Sequence, residues 1–277
     1  MNVINVIKSM ATSDGDGVKI SRVADFSGQH LDPFLMIDEL KSDDQADFIG
    51  GFPPHPHRGI ETFTYMIKGG FEHKDQLGNR KVISSGDVQW MSTGYGVVHS
   101  EMPVATEEGM HGFQIWVNMP AKDKLRPAIY QDSVDTPLPV QVNEFGAQLK
   151  ALAGQWQFAG KTVTSPLTQL SANAAIADLT LPKNSSATLD CQLNEQILVY
   201  VHTGQVNGFS AGQLLVIEPR SILELSAQEE AGMLIFTGSR INEQVAHMGP
   251  FVMNTQAELR QAIDDYRAGK FGEIPVG

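Results

Sequence analysis

The chain lacks paired cysteines, a long apolar run and any concentration of basic residues. Its single cysteine, Cys191, among 277 residues excludes an internal disulfide framework and is typical of a reducing compartment. No uninterrupted apolar stretch is long enough to span a bilayer. We therefore expect a cytoplasmic protein with no membrane segment.

Basic residues are also scarce relative to acidic ones. The 20 Lys and Arg residues are outnumbered by 32 Asp and Glu residues, so the formal net charge is −12. An excess of negative charge repels the phosphate backbone of nucleic acids, and no basic cluster offsets it. The composition therefore disfavours direct nucleic-acid binding, while a small-molecule or protein partner remains compatible with it.

Short segments rich in strand-forming residues follow one another along most of the chain, separated by turn residues. Examples are ETFTYMIKGG, GFQIWVNMP, QILVYVHTGQV and GMLIFTG. This rhythm predicts an all-β fold of the antiparallel sandwich or barrel type. A similar order of glycine-bounded strands occurs in each half, which predicts two tandem domains over residues 1–133 and 134–277.

One segment near the end has a different pattern. Thr255 is followed three residues later by Glu258, which is the spacing of a capping box. Leu259 and Ile263 then recur at helical intervals, and Gly269 provides a stop. The pattern predicts a helix over about residues 255–268, at the end of the second domain.

Two pairs of potential metal ligands occur in strand-like surroundings. His55 and His57 form the first pair, and His99 and Glu101 form the second. Side chains at positions i and i+2 of a strand point to the same face, so each pair can converge on one ion. Taken singly, His55 is open to reading as a loop histidine and Glu101 as a surface carboxylate.

Together, the two pairs favour a metal site. Burying three imidazoles and a carboxylate without a cation would be unfavourable. The donor set suits one divalent first-row ion, and Fe, Mn, Co, Ni, Cu and Zn all accept it. The other histidines stand singly and are predicted to be structural or solvent-exposed: His30, His73, His111, His202 and His247.

The stretches around these pairs resemble a known family. HPHRGIETFTY, GDVQWMSTGYGVVHSEMP, FQIWVNMP and GPFVMNT occur in the order found in pirins, a branch of the cupin superfamily. The resemblance runs from DPFLMIDEL at residues 32–40 to the terminal helix. It implies two cupin domains, the first holding one iron-type metal and the second none. The implied ligands are His55, His57, His99 and Glu101.

The carboxylate ligand has a second candidate. The general first cupin motif has a glutamate four positions after the histidine pair, and Glu61 occupies that place. The pirin pattern instead favours Glu101. Strict alternation from His57 would turn Glu61, Phe63 and Tyr65 inward unless a bulge intervenes. Glu61 is then expected either to orient a ligand imidazole or to lie on the strand surface.

Three further residues near the first pair are candidate pocket residues. Arg58 is expected either to hold an anionic substrate or to pair with an acidic neighbour. Phe48 and Phe52 are expected either to cap the mouth of the site or to pack onto the end of the barrel.

The resemblance also implies an activity. Pirins are associated with quercetin 2,3-dioxygenase activity, in which O2 opens the ring of a flavonol, a small aromatic substrate. Fe(II) would be the metal, and Glu101 would be the general base. The competing hypothesis is a regulator that binds a protein partner in response to the redox state of its metal. A third is a cupin whose metal is only structural.

Overall fold

The computed structural model describes residues 1–26, 31–104 and 109–275. Strands follow one another along almost all of this length, and an α-helix near the end completes it, so the predicted all-β class is confirmed. No helix among the described residues combines the length and the apolar character needed to cross a membrane.

The first half of the chain contains twelve strands among the described residues. They are β1 (Val3–Lys8), β2 (Met10–Asp14), β3 (Val18–Ala24), β4 (Phe34–Ser42), β5 (Phe52–His57), β6 (Ile60–Lys68), β7 (Phe71–Asp75), β8 (Arg80–Ile83), β9 (Val88–Ser92), β10 (Val97–Pro103), β11 (Met110–Asn118) and β12 (Ile129–Asp132).

The second half continues with fourteen strands and the helix. They are β13 (Val140–Val142), β14 (Gln148–Ala153), β15 (Gln155–Phe158), β16 (Lys161–Thr164), β17 (Ala175–Leu181), β18 (Ser185–Asp190), β19 (Gln196–Thr203), β20 (Gln205–Val206), β21 (Phe209–Ser210), β22 (Gln213–Ile217), β23 (Ile222–Ala227), β24 (Ala231–Gly238), β25 (Ala246–Met248), β26 (Phe251–Met253) and α1 (Gln256–Arg267). In the part of the chain that the structure describes, three short 3₁₀ helices lie at Gln45–Asp47, Ala121–Asp123 and Ser171–Asn173.

The chain forms two compact units, each assembled from three segments. Unit A comprises Ala11–Arg22, Phe34–Asp135 and Ile241–Gly277, and unit B comprises Met1–Met10, Val23–Pro33 and Thr136–Arg240. The predicted domain boundary at residues 133 and 134 stays a prediction.

Pairing and packing explain this exchange of the two ends. The first strand, β1, belongs to unit B because it pairs with β22. The terminal helix belongs to unit A because Leu259 and Ala262 pack in one apolar cluster with Val98. By its contacts, the predicted helix therefore belongs to the same unit as residues Phe34–Asp135.

Unit A is built mainly from two antiparallel sheets. The larger sheet has the order β12-β9-β6-β11-β4-β3-β2, and the smaller has the order β5-β10-β7-β8. Their inner faces meet near the middle of β6 and β10, where Thr64 Oγ1 lies 2.9 Å from Glu101 Oε1. The candidate site lies between these two faces.

The helix of unit A forms as predicted and for the predicted reason. Thr255 is its N-cap, and the reciprocal hydrogen bonds of a capping box join Thr255 and Glu258. Gly269, just beyond the helix, has the positive φ of +73° that ends many helices. The buried face of the helix packs against Phe251, Met253 and Phe271.

Unit B has a seven-stranded sheet of order β1-β22-β19-β24-β17-β14-β13 and three two-stranded ribbons. Its interior is apolar. The buried cluster includes Trp156, Leu179, Val199 and Ile235, each at most 5% exposed. Burial of these apolar side chains stabilises the unit by the hydrophobic effect.

Candidate metal centre

Pairing between β5 and β10 brings the three predicted histidine ligands together. His99 lies directly opposite His55 in the antiparallel ladder, and His57 follows His55 by two residues on the same face. One potential ligand atom from each ring lies within 4.8 Å of the others. The ring centroids are 4.4 to 5.0 Å apart.

The prolines around His55 fit the position of β5 in its sheet. β5 is an edge strand, so Pro53, Pro54 and Pro56 leave few ladder hydrogen bonds unmade. His55 is half-buried, whereas His57 and His99 are buried. The three-histidine cluster is therefore most open to solvent on the His55 side.

Backbone carbonyls orient two of the rings. His55 Nδ1 lies 2.8 Å from the Pro53 carbonyl oxygen, and His57 Nδ1 lies 3.2 Å from that of Pro250. A carbonyl can only accept, so each Nδ1 carries the proton and donates it. The Nε2 lone pair of each ring is then left for a metal, as is common in histidine metal sites.

The third ring gives an independent test of whether this set fits a metal. Both ring nitrogens of His99 are buried and have no hydrogen-bond partner. Burial, reinforced by the nearby His55, lowers the pKa of His57 and of His99 well below the usual value. Neutral imidazoles with an unpaired buried nitrogen are what a transition metal needs, so the cluster fits a cupin metal site.

Glu101 lies beside this cluster but is not one of the groups whose ligand atoms all lie within 4.8 Å of one another. Its carboxylate is buried, and its Oε1 accepts hydrogen bonds from the Thr64 hydroxyl and the Gln89 side-chain amide. The ladder between β10 and β5 is irregular between His99 and Glu101. Glu101 as a ligand therefore stays a prediction.

The alternative carboxylate is engaged elsewhere. Glu61 is fully buried, and its Oε1 lies 3.0 Å from the guanidinium of Arg126. Thr64 faces Glu101, so alternation along β6 turns Phe63 and Tyr65 toward the opposite face. The expected inward parity of Glu61, Phe63 and Tyr65 fails because the chain turns between β5 and β6.

Gly59 makes that turn, with a φ of +78°. A Cβ at this position would lie 2.0 Å from the Val252 carbonyl oxygen, so only glycine allows the close approach. The Lys124 ammonium group donates to both the Gly59 and the Val252 carbonyl oxygens, at 2.6 and 3.1 Å. The loop after the histidine pair is thereby clamped to β26.

Arg58 also faces the terminal segment. Its guanidinium is 2% exposed and lies 2.9 Å from the Asp265 carboxylate on α1. The rings of Tyr95 and Phe271 both contact the guanidinium, with centroids 4.4 and 4.7 Å from its central carbon. Of the two roles expected for Arg58, this geometry corresponds to pairing with an acidic neighbour.

The two candidate cap residues pack into the body of unit A. Phe48 is 3% exposed within an apolar cluster that contains Leu40 and Met66. Phe52 packs against the same cluster, with its ring 6.1 Å from that of Phe71. This arrangement corresponds to packing at the end of the barrel.

Sequence reasoning missed the residues that surround Glu101. Thr64 and Gln89 belong to strands recognised as such, but cross-strand register decides which of their residues meet the carboxylate. His73, treated as a single histidine, is buried with its ring centroid 5.5 Å from that of His99. His73 and Asp75 are two residues apart, as are the members of each ligand pair, and this spacing was a signal in the sequence that could have identified His73.

Two other single histidines have acidic partners. His111 lies 2.8 Å from Glu39, and His202 in unit B lies 3.2 Å from Asp178. These contacts agree with the structural role predicted for them. His30 lies outside the described residues.

Comparisons with known proteins extend the similarity over nearly the whole chain. The family model described as Pirin matches residues 17–117, and the model described as Pirin C-terminal cupin domain matches residues 176–272. A Vibrio cholerae protein named "putative quercetin 2,3-dioxygenase" is 44% identical over 269 residues, which cover 96% of this chain and 95% of that relative.

Solved structures agree. The crystal structure of quercetin 2,3-dioxygenase from Acinetobacter baumannii is 32% identical, with a TM-score of 0.87 over 99% of both chains. A bacterial pirin from Escherichia coli in complex with nickel(II) shares the fold at 21% identity, with a TM-score of 0.62 over 85% of this chain and 99% of that one. The two predicted cupin domains and the predicted resemblance are confirmed: the chain belongs to the pirin family.

Proposed function

We propose that this chain is a metal-dependent dioxygenase of the pirin type, which opens a flavonol ring with O2. The observation that carries the proposal is the convergence of His55, His57 and His99 on one point. Three neutral imidazoles leave the remaining coordination positions of a first-row ion open to other ligands. The names of the V. cholerae relative and the A. baumannii structure support this reaction.

The ion that we propose is Fe(II), held by the three histidines and Glu101. When bound, it would supply Lewis-acid chemistry that lowers the pKa of a flavonol hydroxyl group. Mn, Co, Ni, Cu and Zn accept the same donors, and the E. coli relative was solved with nickel(II).

The protein side chains provide orientation and proton transfer. Glu101 is 4% exposed and takes up the hydroxyl proton as general base. Thr64 and Gln89 donate hydrogen bonds to its Oε1, so the position of the carboxylate is defined. The Trp116 ring packs edge-on against His57 at 5.0 Å and shields that side of the cluster. A substrate therefore approaches from the half-buried His55 side.

The test begins with metal analysis of the isolated protein. Oxygen uptake, loss of the visible flavonol absorbance and release of carbon monoxide are then measured with protein loaded with each of the six metals. Glu101→Gln should lower kcat about 100- to 10,000-fold. Glu72→Gln, on the neighbouring strand β7, is the control, since the Glu72 carboxylate pairs with Lys74 and Arg80 instead. Wild-type protein that leaves flavonols intact with every metal contradicts the proposal.

One observation favours a second candidate, a metal-responsive protein that binds a protein partner. The His57 ring is bonded to Pro250, and the adjacent Arg58 to Asp265, so the cluster is tied to the terminal segment. A change at the metal can therefore reach the exposed side of α1 through His57 and Arg58. A pull-down whose yield depends on the oxidation state of the metal is the test.

A further inference from the structure

The inner face of β11 is accessible to solvent beside the three-histidine cluster. Gln114 and Trp116 point to this face, and both are half-buried. Phe113 and Ile115, which alternate with them and point to the other face, are fully buried. The Trp116 ring lies 5.0 Å from that of His57, and the Cα of Gln114 is about 7 Å farther along the strand. Solvent therefore reaches Gln114 on the side of the sheet that carries the cluster.

Gln114 is one member of a polar row that crosses the larger sheet. Gln89 of β9 lies directly opposite Thr64 of β6 in the ladder. Gln114 lies between Thr64 and Asp38 of β4. Because residues directly opposite each other point to the same face, these four side chains form one line across the inner face. Polar groups in such a place are stable when they are hydrogen-bonded, so their bonds show which group is left available.

The hydrogen bonds along this row run in one direction. The Tyr130 hydroxyl donates to Gln89 Oε1 at 3.4 Å, and burial raises the pKa of Tyr130, so the hydroxyl keeps its proton. The Gln89 amide nitrogen donates to the Thr64 hydroxyl oxygen at 3.2 Å, and that hydroxyl donates to Gln114 Oε1 at 2.6 Å. The Gln114 amide oxygen is thereby used, and its nitrogen points away from Thr64.

The neighbours of Gln114 leave that nitrogen available. Thr64 Oγ1 also lies 2.9 Å from Glu101 Oε1, but its contact with Gln114 is the shorter one. When Glu101 coordinates an ion, the single Thr64 proton is left for Gln114. Asp38 is engaged by the Arg22 guanidinium at 2.8 and 2.9 Å. Among the described residues, none accepts a hydrogen bond from the Gln114 amide nitrogen.

We propose that Gln114 determines substrate specificity by donating a hydrogen bond from its amide nitrogen to an oxygen atom of the substrate that lies away from the metal. The ligand class is a planar aromatic compound with chelating oxygens at one end and a further hydroxyl group roughly 7 Å away. Trp116 provides an apolar wall between the two ends. This inference rests on the proposed function, because the chelating end requires an ion at the three histidines.

The experiment measures the affinity of two flavonols for protein loaded with Zn(II), by quenching of tryptophan fluorescence under nitrogen so that no turnover occurs. Quercetin has hydroxyl groups on both terminal rings, whereas 3-hydroxyflavone has only the chelating one. Gln114→Met keeps the shape of the side chain and removes the donor. It should weaken quercetin binding about twofold to tenfold, because one neutral hydrogen bond is lost. Binding of 3-hydroxyflavone should be unchanged, whereas general damage to the site would weaken both.

Two further variants test the row itself. Thr64→Val removes the hydroxyl that orients the Gln114 amide, so it should reduce the preference for quercetin by a smaller factor. Gln131→Leu is the matched control, because alternation from Tyr130 turns this half-buried amide to the opposite face of the sheet. It should leave both affinities unchanged. If Gln114→Met does not fold, the change in preference in Thr64→Val decides.

The outcomes separate this inference from the proposed function. In Gln114→Met, an equal loss of affinity for both flavonols, or no loss for quercetin, overturns the role of Gln114 even if the protein is a dioxygenase. A selective loss for quercetin supports that role even if wild-type protein turns over no flavonol, a result that contradicts only the reaction. Wild-type protein that binds neither flavonol contradicts both.

Discussion

Removing the Asp265 carboxylate should destabilise unit A strongly. The carboxylate accepts hydrogen bonds from Arg58, Gln261 and Lys270 at 2.8 to 2.9 Å. Its side chain is 6% exposed, and that of Arg58 is 2% exposed. Asp265→Ala leaves the guanidinium buried beside two aromatic rings with no carboxylate partner.

The structure sets the size of the effect. Lys270 is 54% exposed, so its bond contributes at most about 1 kcal/mol. Removal of one member of a buried ion pair destabilises a protein by about 3–5 kcal/mol, because the remaining charge stays desolvated. We therefore expect Asp265→Ala to lower the free energy of unfolding of unit A by about 3–5 kcal/mol. The double variant Arg58→Met with Asp265→Leu should recover much of that loss.

The effect should also depend on pH. The hydrogen bond from Lys270, with those from Arg58 and Gln261, lowers the pKa of Asp265 from 3.8 to about 2. A carboxylate whose pKa is lower in the folded protein stabilises it fully above the unfolded value. The difference between wild type and Asp265→Ala should be constant from pH 5 to 8 and should shrink as the pH falls from about 4 toward 2.

Urea unfolding followed by tryptophan fluorescence provides the assay. In a Trp156→Phe background the remaining tryptophans, Trp90 and Trp116, both lie in unit A, so the signal reports that unit. Asp264→Ala is the control, because that neighbouring carboxylate on α1 is exposed and should matter by no more than about 0.5 kcal/mol. Equal unfolding midpoints for the Asp264 and Asp265 variants would refute the reasoning.

Three further predictions concern other parts of the chain. Gly59→Ala should lower the free energy of unfolding by about 1–3 kcal/mol more than Gly78→Ala does. Both glycines have a positive φ, but only a Cβ at residue 59 would meet a carbonyl oxygen. Equal urea midpoints for the two variants would contradict this. Burial raises the pKa of Cys191 to about 12, so a thiol reagent at pH 8 should modify it slowly in native protein and quickly in urea. Burial lowers the pKa of His57 and His99 below 6.5. Metal-free protein should therefore lose stability as the pH falls below about 6.5, because the unfolded imidazoles bind protons that the buried ones do not. A free energy of unfolding that stays constant over this pH range would argue against neutral rings.

The parts of the site that could be predicted from sequence are those set by local spacing. His55 and His57 lie on one face of a strand because they are two residues apart, and the helix begins at Thr255 because its cap lies three residues from Glu258. These relations involve neighbours in the chain. Pattern alone was sufficient for them.

The parts that could not be predicted depend on contacts between distant segments. The partner of Arg58 lies 207 residues away, and no local pattern indicates it. The donors to Glu101 depend on which residues of β6 and β9 face β10. The turn at Gly59 changes which residues of β6 point toward that face. Strict alternation from His57 predicted that Phe63 and Tyr65 face inward, whereas Thr64 of β6 and Gln89 of β9 contact the carboxylate.

The exchange of chain ends between the two units has a consequence for synthesis on the ribosome. The carbonyl of Pro250 and the carboxylate of Asp265 are translated only after all of Thr136–Arg240. A nascent chain therefore has its three imidazoles long before it has the segment that fixes one of them. We expect such a chain to bind an ion only loosely, so that metallation is completed only after the segment that contains Pro250 and Asp265 has been translated.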